Sequence, residues 1–182
     1  MSNRETSRTA LSTAYLRAAH QLLDAKPLIF EDPVALQILG NAAQHRIQES
    51  TDQYQTPAGR ALRSHLVLRS RFTEDRLAEA TVRGVRQYVI VGAGFDTFAL
   101  RQPEWAASLK IIEIDHLGTQ TVKRSRLAET GFEMPSNADF MDVDFERESL
   151  QDSFVRHHMS TDDPTFFFLA RCYHVPHRRR HR

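Results

Sequence analysis

The stretch that most constrains this chain is Tyr88-Val89-Ile90-Val91-Gly92-Ala93-Gly94-Phe95-Asp96-Thr97, an apolar run of strand type that breaks into a Gly-X-Gly turn. A second apolar run, Leu109 to Ile114, carries an acidic pair at its end, Glu113 and Asp115. A strand, a tight glycine turn and an acid about 20 residues further on are the parts of a nucleotide-binding crossover unit. Gly-X-Gly alone also fits a tight strand-to-helix turn that holds no ligand. The acid spacing and the later Asp144 favour the nucleoside-binding reading.

The rest of the chain reads as helices before this unit and alternating strands and helices from it onward. Leu11, Ala14, Tyr15, Ala18, Ala19 and Leu22 recur at helical spacing within Ala10 to Leu23, and Pro27 ends that helix. Asp32-Pro33 predicts a short helix, with Asp32 as its N-cap, Pro33 at its first position and Gly40 as its stop. Ala42 to Pro57 is polar and ambiguous, and Gly59 to Ala80 is a long helical pattern. Strands are expected at Gln87 to Val91, Lys110 to Ile114, Ala138 to Val143 and Thr165 to Ala170. Helices are expected at Leu117 to Thr130, stopped by Gly131, and at Phe145 to His157. That alternation predicts a parallel α/β sheet with crossover helices.

Glycines let a backbone approach a ligand closely, and the helix expected after the turn would offer unpaired N–H groups. A dinucleotide site uses a third glycine where Thr97 stands here. The departure suits a cofactor without pyrophosphate, such as S-adenosyl-L-methionine, whose ribose still needs a carboxylate. Asp115, 21 residues after Gly94, is the candidate at the strand tip, and Glu113 shares its strand face. A nicotinamide-dinucleotide oxidoreductase, or a non-catalytic nucleotide-binding module, is the alternative.

Several segments, in order over about residues 8 to 168, together resemble the bacterial branch of the leucine carboxyl methyltransferase-like proteins. They are Arg8-Thr9-Ala10 through Arg17-Ala18, Phe30-Glu31-Asp32-Pro33, Arg69-Ser70-Arg71-Phe72 with Asp75, the Gly92 to Thr97 string, Glu113-Ile114-Asp115-His116 and Asp142-Val143-Asp144-Phe145. The resemblance implies a Rossmann-like class I methyltransferase fold, with residues 1–84 as an N-terminal helical lid and 85–170 as the S-adenosyl-L-methionine-binding core. It implies O-methyl transfer to a carboxylate or hydroxyl of a small-molecule acceptor whose identity it leaves open. It also implies site roles: Gly92, Ala93 and Gly94 beside the methionine part, Arg69 (or Arg71) on its carboxylate, Asp115 on the ribose, Asp144 and Phe145 flanking adenine. Arginine suits the carboxylate because its fork matches one bidentately. Methyl transfer from a sulfonium asks mostly for alignment and water exclusion. No catalytic base is assigned; His20, His45, His65 and His116 are candidates by type only.

The chain's end departs from that pattern. The resemblance implies about seven strands, and the sequence supplies about four. Residues 171–182 hold five arginines and no acid; without them 19 basic residues face 23 acidic ones, a net of −4 instead of +1. One permitted set of codons for residues 168–177 is TTC CTG GCT CGG TGT TAC CAT GTA CCT CAC. Read one nucleotide later it gives Ser-Trp-Leu-Gly-Val-Thr-Met-Tyr-Leu-Thr, the continuation such a family would show. A frameshift near Phe167 to Phe168, a truncated sheet and weak activity are therefore expected, and the gene sequence there tests the frameshift.

Nucleic-acid binding by the basic tail, or a metal site at His174, His177 and His181, is the lesser reading of the same residues. The only cysteine, Cys172, excludes an intrachain disulfide and a cysteine-rich metal site. No apolar run reaches the roughly 20 residues that span a bilayer, and the N-terminus lacks an apolar signal core, so a cytoplasmic address is expected. Oligomeric state leaves no mark on the sequence.

Overall fold

The computed structural model describes residues 7–160 and 162–170. Helix α1 (Arg8–Leu23) starts at Ser7, whose hydroxyl accepts the Ala10 N–H, and buries the small-residue stripe of Ala14, Ala18 and Ala19. The short α2 (Val34–Gln37), α3 (Ala43–Glu49) and α4 (Thr51–Gln55) follow, and α5 (Pro57–Val82) completes the helical region. The ambiguous polar stretch is thus helical. Ala43 and Ile47 drive this by packing into the cluster that α1 and α2 form with Phe95 and Leu127.

Four parallel strands follow in the order β3-β2-β1-β4: β1 (Gln87–Val91), β2 (Lys110–Asp115), β3 (Ala138–Asp142) and β4 (Thr165–Leu169). All five β1 residues are buried, as central parallel strands require. Strand alternation splits the core in two. Tyr88, Ile90 and Ile111 pack with Leu77 of α5 on one face. Val89, Val91, Ile112, Ile114 and Met141 pack on the other with Phe154 of α7 (Leu150–Arg156). Helix α6 (Leu117–Thr130) links β2 to β3 and ends at Gly131, whose φ of 72° is the left-handed stop that glycine tolerates. This architecture is Rossmann-like and mixed α/β.

Three local expectations need correction. No α-helix follows the glycine turn; two single 3₁₀ turns, Phe98–Leu100 and Glu104–Ala106, lie between β1 and β2. The loop's amides are not presented by a long helix: those of Gly92, Ala93 and Gly94 donate to β2, and those of Asp96 and Phe98 to acceptors within the loop. Asp32 does not cap α2 with its side chain; that carboxylate is fully buried and turned toward Thr97. Phe145 to Ser149 is not helical. Helix α7 starts after Ser149, which forms a reciprocal capping box with Asp152. The basic tail, with Cys172, His174, His177 and His181, lies outside the described residues.

Candidate functional site

The glycine turn is shaped from below by β2. Gly92 and Ala93 both donate to the Ile114 carbonyl, at 2.8 and 3.0 Å, and Gly94 N–H donates to Asp115 Oδ2 at 2.7 Å. Gly92 and Gly94 have φ of 71° and 57°, the left-handed region that glycine adopts without strain. Asp115 Oδ1 accepts the His116 N–H at 2.7 Å. The Asp115 carboxylate is thus fixed by two backbone donors, with lone pairs left over on each oxygen.

Above the turn lies a cavity of about 280 Å³. Its floor is residues 92–96 with Asp115; α1 contributes Thr13, Leu16 and Arg17, α5 contributes His65, Leu66 and Arg69, and Phe168 of β4 closes one side. Of the sequence candidates, Arg69, Gly92, Ala93, Gly94 and Asp115 line this one cavity. Arg69 donates to the Ala170 carbonyl and lies over the Phe168 ring, its guanidinium carbon 5.3 Å from the centroid. Arg71 turns away: it is exposed and pairs with Asp75 at 2.9 Å. Asp144 and Phe145 follow β3 and do not line the cavity; Asp144 instead accepts the Glu146 N–H at 3.2 Å. Among the four histidines, His65 alone reaches the cavity wall. His20 is buried against Asp24 at 2.6 Å, His45 pairs with Glu49 at the surface, and His116 caps α6 by accepting the Gly118 N–H.

The far end of the loop is held by a buried charge cluster in which Arg17 and Lys123 carry no role assigned from the sequence. Arg17 donates to the Phe95 carbonyl and, at 3.3 Å, to Asp96 Oδ2. Asp96 Oδ1 accepts the Phe98 N–H at 2.8 Å. Lys123 of α6 donates to the Asp96 carbonyl at 2.5 Å and to the Glu113 carboxylate. Burial by itself would raise the Asp96 pKa, but the Arg17 and Lys123 charges and the Phe98 N–H outweigh it and hold the carboxyl below its usual range. For Glu113 the balance tips the other way, and burial keeps its pKa raised despite Lys123. The available signal was one of position: Arg17 and Lys123 stand in the buried stripes of their helices, next to Ala18 and one turn before Leu127.

Among the described residues, no group of three or more His, Cys, Asp or Glu is arranged to hold a metal ion, and no helix is long and apolar enough to cross a membrane.

The chain is similar in sequence to several known proteins. A Bacillus subtilis (strain 168) protein named "Putative S-adenosyl-L-methionine-dependent methyltransferase YktD" is 29% identical over 195 residues, which cover 96% of this chain and 64% of that protein. A similarly named protein of Parafrankia sp. (strain EAN1pec) is 33% identical over 128 residues, 68% of this chain and 40% of that one. Another, from Saccharopolyspora erythraea, is 32% identical over 124 residues, 68% of this chain and 42% of that one. The chain therefore spans less than two thirds of the length of these relatives. The model of the leucine carboxyl methyltransferase family matches residues 10–174. A match over nearly the whole sequence means that this chain belongs to the leucine carboxyl methyltransferase family.

Proposed function

We propose that this chain binds S-adenosyl-L-methionine in the cavity above the glycine turn and serves methyl transfer to an oxygen of a small-molecule acceptor, a carboxylate or a hydroxyl. The observation that carries the reading is the convergence of Gly92, Ala93, Gly94, Asp115 and Arg69 on one cavity. The names of the relatives, each an S-adenosyl-L-methionine-dependent methyltransferase, support it. The donor set fits the group. Asp115 is a preorganised acceptor for sugar hydroxyls, Arg69 offers a fork to the amino-acid carboxylate, and the apolar wall of Leu16, Leu66 and Phe168 suits a dry site.

The cofactor, when bound, supplies a methyl group already activated by its sulfonium. The chain's own residues then align and shield. Asp115 orients the ribose, Arg69 anchors the methionine end, and the adenine extends past Asp115, out of the cavity, toward Asp144 and Phe145 beyond the end of β3. Arg71, paired with Asp75 at the surface, leaves the anchoring to Arg69. A carboxylate acceptor needs no base. For a hydroxyl acceptor, His65 on the cavity wall is the group to take the proton. We place this chemistry in the cytoplasm.

Calorimetry with S-adenosylhomocysteine and with NAD tests the reading. Binding of the first and not the second is expected. Binding of NAD alone would restore the oxidoreductase alternative, which Thr97 at the third-glycine position and the family membership disfavour.

A further inference from the structure

Thr97 stands where a dinucleotide fold has its third glycine, and it is fully buried. Its hydroxyl donates to Asp32 Oδ2 at 2.6 Å, a contact spanning 65 residues of chain. The same hydroxyl oxygen accepts Arg101 Nε at 3.1 Å. The Arg101 guanidinium in turn forks onto Glu74 of α5, at 3.0 and 2.5 Å. Asp32 Oδ1 accepts no hydrogen bond, but Arg101 Nε lies 3.5 Å from it, so the carboxylate keeps an ionic partner. None of Asp32, Glu74, Thr97 and Arg101 lines the cavity.

We propose that Thr97 and Asp32, braced by Arg101 and Glu74, are positioning residues that fix the glycine loop from the helical region, so that donor affinity is set partly outside the donor site. This rests on the donor-binding reading above. Besides the Arg17 and Lys123 contacts at Phe95 and Asp96, the loop is tied on either side of them. At Gly94 it is tied to β2 through Asp115, and at Thr97 it is tied to the connection before α2 through Asp32. A hydroxyl–carboxylate bond in a buried, low-dielectric setting is among the stronger neutral-to-ion contacts available. With it, Phe95 and Asp96 are spanned between fixed points, and the amides of Gly94, Asp96 and Phe98 keep their local acceptors. Without it, the far end of the loop keeps only the Arg17 and Lys123 contacts at Phe95 and Asp96, and Thr97 itself is untied from the helical region. A threonine here therefore replaces close helix packing, which this loop lacks, with a side-chain bolt.

The test uses the full chain with Thr97→Val, which keeps the shape and removes the hydroxyl, and Thr97→Ser, which keeps the hydroxyl. Two readouts are taken: amide hydrogen exchange at Gly94, Asp96 and Phe98 without ligand, and the Kd for S-adenosylhomocysteine. Thr97→Val is expected to speed exchange at those amides and to weaken binding by about tenfold, the worth of one charge-assisted hydrogen bond. Thr97→Ser is expected to restore both to within about threefold, on the same one-bond scale. Asp32→Asn, shape-preserving and uncharged, is expected to loosen the same amides. A Thr97→Val chain that melts at lower temperature with loop exchange and affinity unchanged would reduce the pair to packing and overturn the proposal. So would a Thr97→Ser chain as impaired as Thr97→Val. If the unaltered chain binds no S-adenosylhomocysteine, the donor reading fails, and with it the claim about affinity. The exchange readout needs no ligand and judges the brace separately.

Discussion

Replacing Lys123 with methionine isolates the buried charge beneath the loop. Lys123 and Glu113 expose 0% and 1% of their side chains, and the ammonium also donates to the Asp96 carbonyl at 2.5 Å. Methionine fills nearly the same volume and can pack against Phe140, whose ring centre is 5.5 Å from Nζ. Packing is therefore conserved, and the change removes charge and two hydrogen bonds. Stranding one member of a buried pair costs about 3–5 kcal/mol. For a chain of this size that lowers the Tm by roughly 2–4 °C per kcal/mol. Urea denaturation followed by circular dichroism measures the loss.

The pH dependence supplies the sign. Burial already raises the Glu113 pKa against the pull of Lys123, and without Lys123 burial acts with less opposition. Glu113 then binds its proton more tightly folded than unfolded, so stability rises as pH falls from above the folded pKa toward the unfolded value. The Lys123→Met deficit should therefore shrink between pH 7 and pH 5. Adding Glu113→Leu should recover most of it, with a coupling of about 2 kcal/mol or more in the double-mutant cycle. A deficit under about 1 kcal/mol at pH 7, or one unchanged at pH 5, would refute the reasoning.

Two further outcomes are expected. Gly94→Ala should destabilise by about 1–2 kcal/mol, because an L-residue is strained at this φ; its Cβ would also press on the Ala10 Cβ at 3.0 Å. A melting temperature equal to the parent's would contradict that contact. Asp96→Asn should flatten the acid limb of the stability curve. The depressed folded pKa of Asp96 contributes stability above the unfolded value and loses it as pH falls through the folded one. An acid limb of unchanged slope would show that Asp96 is not so held.

Local pattern revealed the elements whose order is local. Strand β1 and helix α6 fall on the predicted residues because an apolar run bounded by glycine and a stripe closed by Gly131 encode their own ends. The glycine turn and Asp115 were legible for the same reason, as a spacing. What the sequence hid was tertiary. Asp32 looks like a helix cap until its partner, Thr97, is known to lie 65 residues away. Helices α3 and α4 form because Ala43, Ile47 and Tyr54 find a core to pack on, and their polar pattern carries no trace of it. The crossover helix expected after Gly94 is absent because the chain folds its Phe98 and Ala99 straight onto the sheet in a single 3₁₀ turn. The helical stripes place Arg17 and Lys123 among buried positions, but their partner in the loop, Asp96, is supplied only by the assembled structure.

The most direct measurement is calorimetric titration of S-adenosylhomocysteine into the unaltered chain and into Asp115→Ala, with Asp115→Asn and a thermal melt to show that each variant folds. Saturable binding that weakens by about tenfold or more in Asp115→Ala is the expected result, the worth of hydrogen bonds to a charged group. No binding to the parent, or the same affinity in a folded Asp115→Ala chain, would contradict the claim that this carboxylate holds the cofactor's sugar.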